Sequence, residues 1–260
     1  MANEYWAERM ASAQDKLTQK NIKEVEAQLA KYYSSSMQRV IEQFISTYEK
    51  LIADAVNRGS ITPADLYKLD KYWNMQAQLS KELNKLGEKE LALLSDRFTK
   101  EFIQIYREIA IKDDLYFGTI DYRTAQQMIN QIWCADGKSW SSRVWNNISA
   151  LQEELNDKLI ECVVAGRKTT ELKEALMERF GVNYSRADAL VRTEMAHIQT
   201  QAAQQRYKDY GITEVQVWAS KDERRCEVCG KLHEKKYPIN AQMPVPTHPK
   251  CRCAIIPVVD

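Results

Sequence analysis

Proline and cysteine are spread so unevenly along this 260-residue chain that two kinds of folding are implied. Pro238, Pro244, Pro246, Pro249 and Pro257, five of the six prolines, lie in the last 23 residues. Cys226, Cys229, Cys251 and Cys253 crowd into the same tail with His233 and His248, while Pro63 is the single earlier proline. A proline inside a helix removes a backbone donor and clashes with the preceding turn. The long stretch before the tail is therefore free to form extended helices. The tail is not, and something other than a helical ladder must organise it.

The body carries the matching periodicity. Ile22, Val25, Leu29, Tyr33, Met37, Val40, Phe44, Tyr48 and Leu51 recur every three or four residues, which predicts one long amphipathic helix reaching back towards Trp6. Gly59 is the expected stop. Thr62-Pro63-Ala64-Asp65 reads as an N-cap, a proline at N1 and an early acid, opening a helix through Leu66, Leu69, Trp73, Leu79, Leu83 and Leu86 to Gly87. A third stripe runs from Leu91 to Ile109. A loop is expected at Asp113–Thr119, then a short helix from Tyr122 to about Trp133, broken by Gly137. Val144 to Cys162 marks a fifth helix closed by Gly166. Thr169 caps a short one ending at Phe180-Gly181, and Ser185-Arg186-Ala187-Asp188 resembles a capping box opening the last long helix, which Gly211 ends. Val215 and Val217 then alternate with polar residues, as in a strand.

The expected fold is thus mainly α: a multi-helix body with a small C-terminal α+β module stabilised by zinc. Two regions are expected, residues 1–135 as a helical N-terminal region and 136–260 as a second domain ending in the Cys/His module at about 215–257. Lys and Arg total 37 against 36 for Asp and Glu, a net charge of +1, which argues against a polycationic nucleic-acid packager. No apolar run approaches the 18–20 residues of a membrane helix. The opening residues lack the basic, apolar, small-residue order of a signal peptide, so a cytoplasmic start is expected.

The strongest chemical signal is Cys226-Glu-Val-Cys229 followed by His248-Pro-Lys-Cys251-Arg-Cys253. Zinc takes four N or S donors in a tetrahedron, and an x2 spacing lets two thiolates from one turn reach one ion. Redox Cys-x-x-Cys motifs sit in strand–helix units, and disulfide frameworks belong to exported chains, so both fit less well. Five residues compete for four places, and spacing leaves the choice among His248, Cys251 and Cys253 open. With no general base nearby, a structural ion is the expectation.

Two weaker patterns accompany it. Arg192, Thr193, Glu194 and His197 lie on one late stretch of helix, with Gln201 a turn further. They read as a polar seam packing the helix against the Cys/His module rather than as an acid–base pair, because no nucleophile or second carboxylate accompanies them. Arg224, Arg225, Lys235 and Lys236 are candidate contacts to DNA phosphates in a tail of net charge +3, and they read equally as solvated surface. Trp133, Trp140 and Trp145 read as helix-packing anchors.

Leu190-Val191-Arg192-Thr193-Glu194, Tyr207 to Gly211-Ile212, Val217-Trp218-Ala219, Asp222, Arg224-Arg225-Cys226-Glu-Val-Cys229 and His248-Pro-Lys-Cys251-Arg-Cys253, in that order, resemble the minor head proteins of tailed bacteriophages, the head-morphogenesis family of the phage Mu F type. The likeness covers roughly residues 140–257. It departs from the family at Leu232-His233-Glu234-Lys235, where Glu stands in a turn that commonly carries Gly. The resemblance implies a non-enzymatic assembly role: a minor capsid protein, in the host cytoplasm during assembly and then in the procapsid or virion head interior. Its implied partners are the portal, scaffold or major capsid protein, with weak non-specific contact to packaged DNA. The Ile22–Leu51 stripe is the expected docking face for such a partner. The alternative is a zinc-dependent nucleic-acid-binding protein or nuclease.

Overall fold

The computed structural model describes residues 2–58, 62–109, 119–219 and 225–258. In chain order its elements are α1 (Ala2–Arg58), α2 (Pro63–Leu66), α3 (Asp70–Glu108), α4 (Tyr122–Ile129), α5 (Trp140–Val164), α6 (Thr169–Asp209), β1 (Glu214–Trp218), α7 (Glu227–Leu232), β2 (Lys236–Pro238) and β3 (Ala254–Pro257). The chain is mainly α with a small C-terminal strand region, as the residue pattern implies. Among the described residues no helix is long and apolar enough to cross a membrane. Gly59, Asp222, Arg224 and all but Thr119 of the expected 113–119 loop lie outside the described residues.

Two compact units divide the chain without following its order. One consists of residues 1–26, 93–140 and 189–260, the other of 27–92 and 141–188. In the second unit Leu29, Tyr33, Val40, Phe44, Tyr48 and Leu51 of α1 are at most 4% exposed, as are Leu79, Leu83 and Leu86 of α3 and Leu151, Leu155 and Leu159 of α5. Ile22 and Val25, in the first unit, are equally buried. This corrects one expectation. The Ile22–Leu51 stripe is covered by the chain itself and offers no docking face.

Helix boundaries differ from the sequence reading in four places. Thr62 and Asp65 do form a reciprocal capping box, but the helix they open ends at Leu66. Tyr67 spends its carbonyl on the Trp73 indole at 2.8 Å, and the Tyr67, Tyr72 and Trp73 rings cluster with centroids 5.2–6.2 Å apart. Helix α3 then runs straight through Gly87. A Cβ there would lie 2.7 Å from the Trp145 ring, so this glycine provides close approach to α5 and not a stop. Helix α6 is continuous from 169 to 209. Ser185 donates to the Gly181 carbonyl within the helix at 3.1 Å instead of capping a new one, a back-bond open to any mid-helix serine. Helix α4 stops at Ile129, short of the expected Trp133, whose indole is used elsewhere.

Other punctuation behaves as expected. Gly166 and Gly211 adopt φ of +60° and +75°. Beyond each, a paired set of bonds closes the helix: Arg167 N to Cys162 O with Gly166 N to Val163 O, and Ile212 N to Tyr207 O with Gly211 N to Lys208 O. These are Schellman closures, which require the left-handed conformation at that residue. Gly211 thereby turns the chain out of α6 into β1, the central strand of an antiparallel sheet ordered β2-β1-β3.

Candidate metal centre

The sheet positions the cysteines. β1 pairs Val217 with Ile255 and Trp218 with Ala254, so the segment leading into β3 arrives beside the end of β1. Cys226 caps α7, and its sulfur accepts a hydrogen bond from the Cys229 backbone N–H at 3.3 Å. One helical turn thus places both sulfurs together. Opposite them, Lys250 takes φ of +63° and Cys251 N donates to His248 O at 3.2 Å. That tight turn folds His248 and Cys251 back towards the same place.

The donor atoms converge around Cys229. His248 Nε2 lies 3.3 Å from Cys226 Sγ and 3.2 Å from Cys229 Sγ. Cys229 Sγ is 3.8 Å from Cys251 Sγ, and Cys229, Cys251 and Cys253 keep their sulfurs within 4.8 Å of one another. Donors sharing one tetrahedral ion, with M–S near 2.3 Å and M–N near 2.0–2.1 Å, stand about 3.5–3.8 Å apart. The observed separations are close to that. His248 Nδ1 faces the Pro249 carbonyl at 2.9 Å. Donating its proton there leaves Nε2 with a lone pair aimed at the sulfurs, which is the arrangement a ligating imidazole needs. The donor set fits a soft or borderline cation, and the cluster could hold a metal ion.

Proton affinities follow the crowding. The backbone donor at Cys229 pulls the Cys226 thiol down, while burial pushes Cys229 up to about 11. Cys251 falls to about 5, chiefly because Cys253 hydrogen-bonds to it, and Cys253 rises in consequence. His248 is raised by its bond to the Pro249 carbonyl.

Residues 153–256 match the family model described as Phage Mu protein F like protein. That segment is similar to the Mu F family. It opens in α5 and closes in β3, so it holds all five candidate donors. No curated protein and no solved structure matches the chain.

Within the Mu F-like segment the polar seam is divided among several partners. Thr193 Oγ1 donates to Ala189 O and accepts from Lys250 N at 3.3 Å, reaching the His248–Cys251 turn. Glu194, 3% exposed, accepts from the Trp133 indole at 3.0 Å. His197 stacks on the same indole at 4.2 Å and 11°, and burial holds it neutral, with its pKa down to about 3. Arg192 pairs with Glu26 of α1. Of the basic candidates, Arg225 braces its own loop through Gly230 O at 3.1 Å and Lys236 pairs with Glu214 at 3.6 Å. Lys235 is exposed, and Arg224 lies outside the described residues.

Sequence reasoning missed two residues that matter here. Arg252, between two cysteines, binds Asp15 of α1. Arg206, 3% exposed, lies between the Tyr106 and Tyr210 rings and donates to Ile109 O. Neither has a pattern that marks it, since Asp15, Tyr106 and Ile109 are far away in sequence and Tyr210 alone is near. His233 shares the tail but not the cluster: its Nδ1 accepts from Ala219 N and its ring abuts Trp218.

Proposed function

We propose that this chain is a minor head protein of a tailed phage, acting in head morphogenesis as a structural component whose tail is held by one zinc ion. The match of residues 153–256 to the Mu F-like family carries the reading. The N/S donor cluster closing that segment supports zinc, because it offers thiolate and imidazole donors and no open carboxylate site. Cys226, Cys229 and His248 would hold the ion, with Cys251 as fourth ligand, since the His248–Cys251 turn presents both side chains and the Cys251 sulfur lies 3.8 Å from that of Cys229. Cys253 then serves as a neighbouring donor to Cys251.

The site supports a structural role better than a nuclease. A hydrolytic zinc keeps a water in its fourth position and a base beside it. Here Glu227 is spent on Lys231 at the exposed rim, and a fifth donor, the Cys253 sulfur, crowds the cluster. The zinc would cross-link the first turn of α7 to the segment leading into β3.

Residues 1–135 are the proposed docking region and 136–260 the head-morphogenesis domain, made in the host cytoplasm and carried into the procapsid. The portal is the proposed partner, with scaffold or major capsid protein as neighbours. With the long stripe buried, the docking candidates are the exposed rings Tyr67 (45%) and Trp73 (55%). Packaged DNA would be touched weakly by Arg225, Lys235 and Lys236, losing affinity steeply with salt.

Co-expression of the full chain with its cognate portal tests the reading. The pair should co-purify, and Trp73→Ala with Tyr67→Ala should cut recovery at least tenfold while the far-UV helical signal is kept. Heads of normal composition and infectivity from phage lacking the gene would overturn it.

A further inference from the structure

The segment Cys251-Arg252-Cys253 presents two faces. Its cysteines turn towards Cys229, while Arg252 between them turns the opposite way, as side chains alternate in an extended backbone. There the guanidinium grips Asp15 of α1 in a fork, Nε to Oδ1 at 3.2 Å and Nη2 to Oδ2 at 2.5 Å. Such two-point pairs fix geometry as well as charge.

The same part of α1 closes the small core of the sheet. Ala11, with Met10 beside it, packs with Trp218 of β1 and Ala254 and Ile256 of β3. Tyr207, wholly buried, joins the two: its hydroxyl donates to Ile255 O at 3.2 Å and accepts from Gln14 Nε2 at 3.3 Å. Further along, the anchors of α1 change. Thr18 and Asn21 donate to Glu101 of α3, each at 2.5 Å, and Glu24 pairs with Arg97 at 3.0 Å. Those contacts involve no residue of the tail.

We infer that the ion in the cysteine cluster is what docks residues 8–15 of α1, acting through Arg252 and the start of β3 as a metal-dependent latch on the N-terminal segment. This rests on the reading that the cluster binds metal. With an ion bound to Cys251, the backbone at 251–253 is pinned and Arg252 is aimed at Asp15. Without it the four-sulfur cluster loses its cross-link, the entry to β3 loosens, and both the ion pair and the Ala11 contact go with it. The Glu101 contacts mark where the effect should stop.

Hydrogen exchange on the full chain, before and after exhaustive chelation and with metal content measured in parallel, tests the latch. Residues 8–15 should exchange at least tenfold faster once the metal is gone, residues 27–52 should be unchanged, and added zinc should restore protection. In metal-loaded protein, Asp15→Asn and Arg252→Gln should each loosen 8–15 while keeping one equivalent of metal. If the protein contains no metal and binds none on titration with zinc, the metal reading fails and the latch with it. If metal is present and its removal leaves 8–15 protected, only the latch fails. Exchange rising equally along all of α1 would also overturn it, because that is general unfolding.

Discussion

Tyr33 of α1 and Glu90 of α3 meet in the interior, hydroxyl to carboxyl at 3.0 Å, with Glu90 wholly buried. The Tyr33 hydroxyl also donates to Asn183 Oδ1 at 2.8 Å, and Asn183 Nδ2 donates to Asn147 O at 2.6 Å. One phenolic proton cannot serve both acceptors. A protonated Glu90 resolves the conflict by donating to Tyr33, which donates on to Asn183. Burial pushes the Glu90 carboxyl in that direction, up to about 7, against the opposing bond from Tyr33.

From this follows a pH dependence opposite to ordinary acid denaturation. Between the usual glutamate value and about 7, the folded chain keeps a proton that the unfolded chain has released, so stability falls as pH rises through that window and levels off above it. Glu90→Gln should leave stability unchanged near pH 4 and raise it by about 1–3 kcal/mol at pH 8. Chemical denaturation of both proteins across that range checks it. A variant less stable at pH 8 would contradict the assignment.

Glu194 supports Trp133 and, through it, His197. Glu194→Ala leaves a half-buried indole N–H without its acceptor and should cost about 1–3 kcal/mol. Glu194→Gln keeps an acceptor oxygen and should lose less than half of that. Thermal melts of the two variants separate the cases, and equal melting temperatures for wild type and Glu194→Ala would count against a structural role.

Glu234 adopts φ of +66° in the turn between α7 and β2. A side chain in the left-handed region costs about 1–2 kcal/mol, and glycine removes that strain while giving back part of it as unfolded-chain entropy. Glu234→Gly should therefore stabilise by about 0.5–1 kcal/mol. Its backbone bond to Val217 O, at 2.8 Å, does not depend on the side chain. A destabilised glycine variant would show that the Glu side chain supplies more than it strains.

What could be read from the residues alone was what is local or periodic. The α1 stripe, the Thr62 cap, the Gly166 and Gly211 closures and the strand at 215–217 each rest on a repeat or on one residue's conformational preference. Gly87 was misread because a glycine in sequence looks the same whether it ends a helix or admits a neighbour such as Trp145, and Gly181 because a glycine is also tolerated inside a helix that tertiary packing holds. The Cys/His spacing pointed to the cluster, but proximity between donors depends on the αL turn at Lys250 and on β1–β3 pairing, which spacing does not encode. Asp15–Arg252 and Tyr33–Glu90–Asn183 were invisible for the same reason: each joins residues that only the folded chain brings together.

Metal content tests the zinc-held tail most directly. Elemental analysis of the purified full chain should give close to one equivalent of zinc. Structural zinc contributes about 10–16 kcal/mol in small modules, so chelation should make residues 226–258 sensitive to protease while the far-UV signal of the helices persists. Cys229→Ala, which removes the sulfur at the centre of the cluster, should abolish binding, and Cys253→Ala should retain it. A metal-free protein whose tail is ordered and protease-resistant would contradict the account.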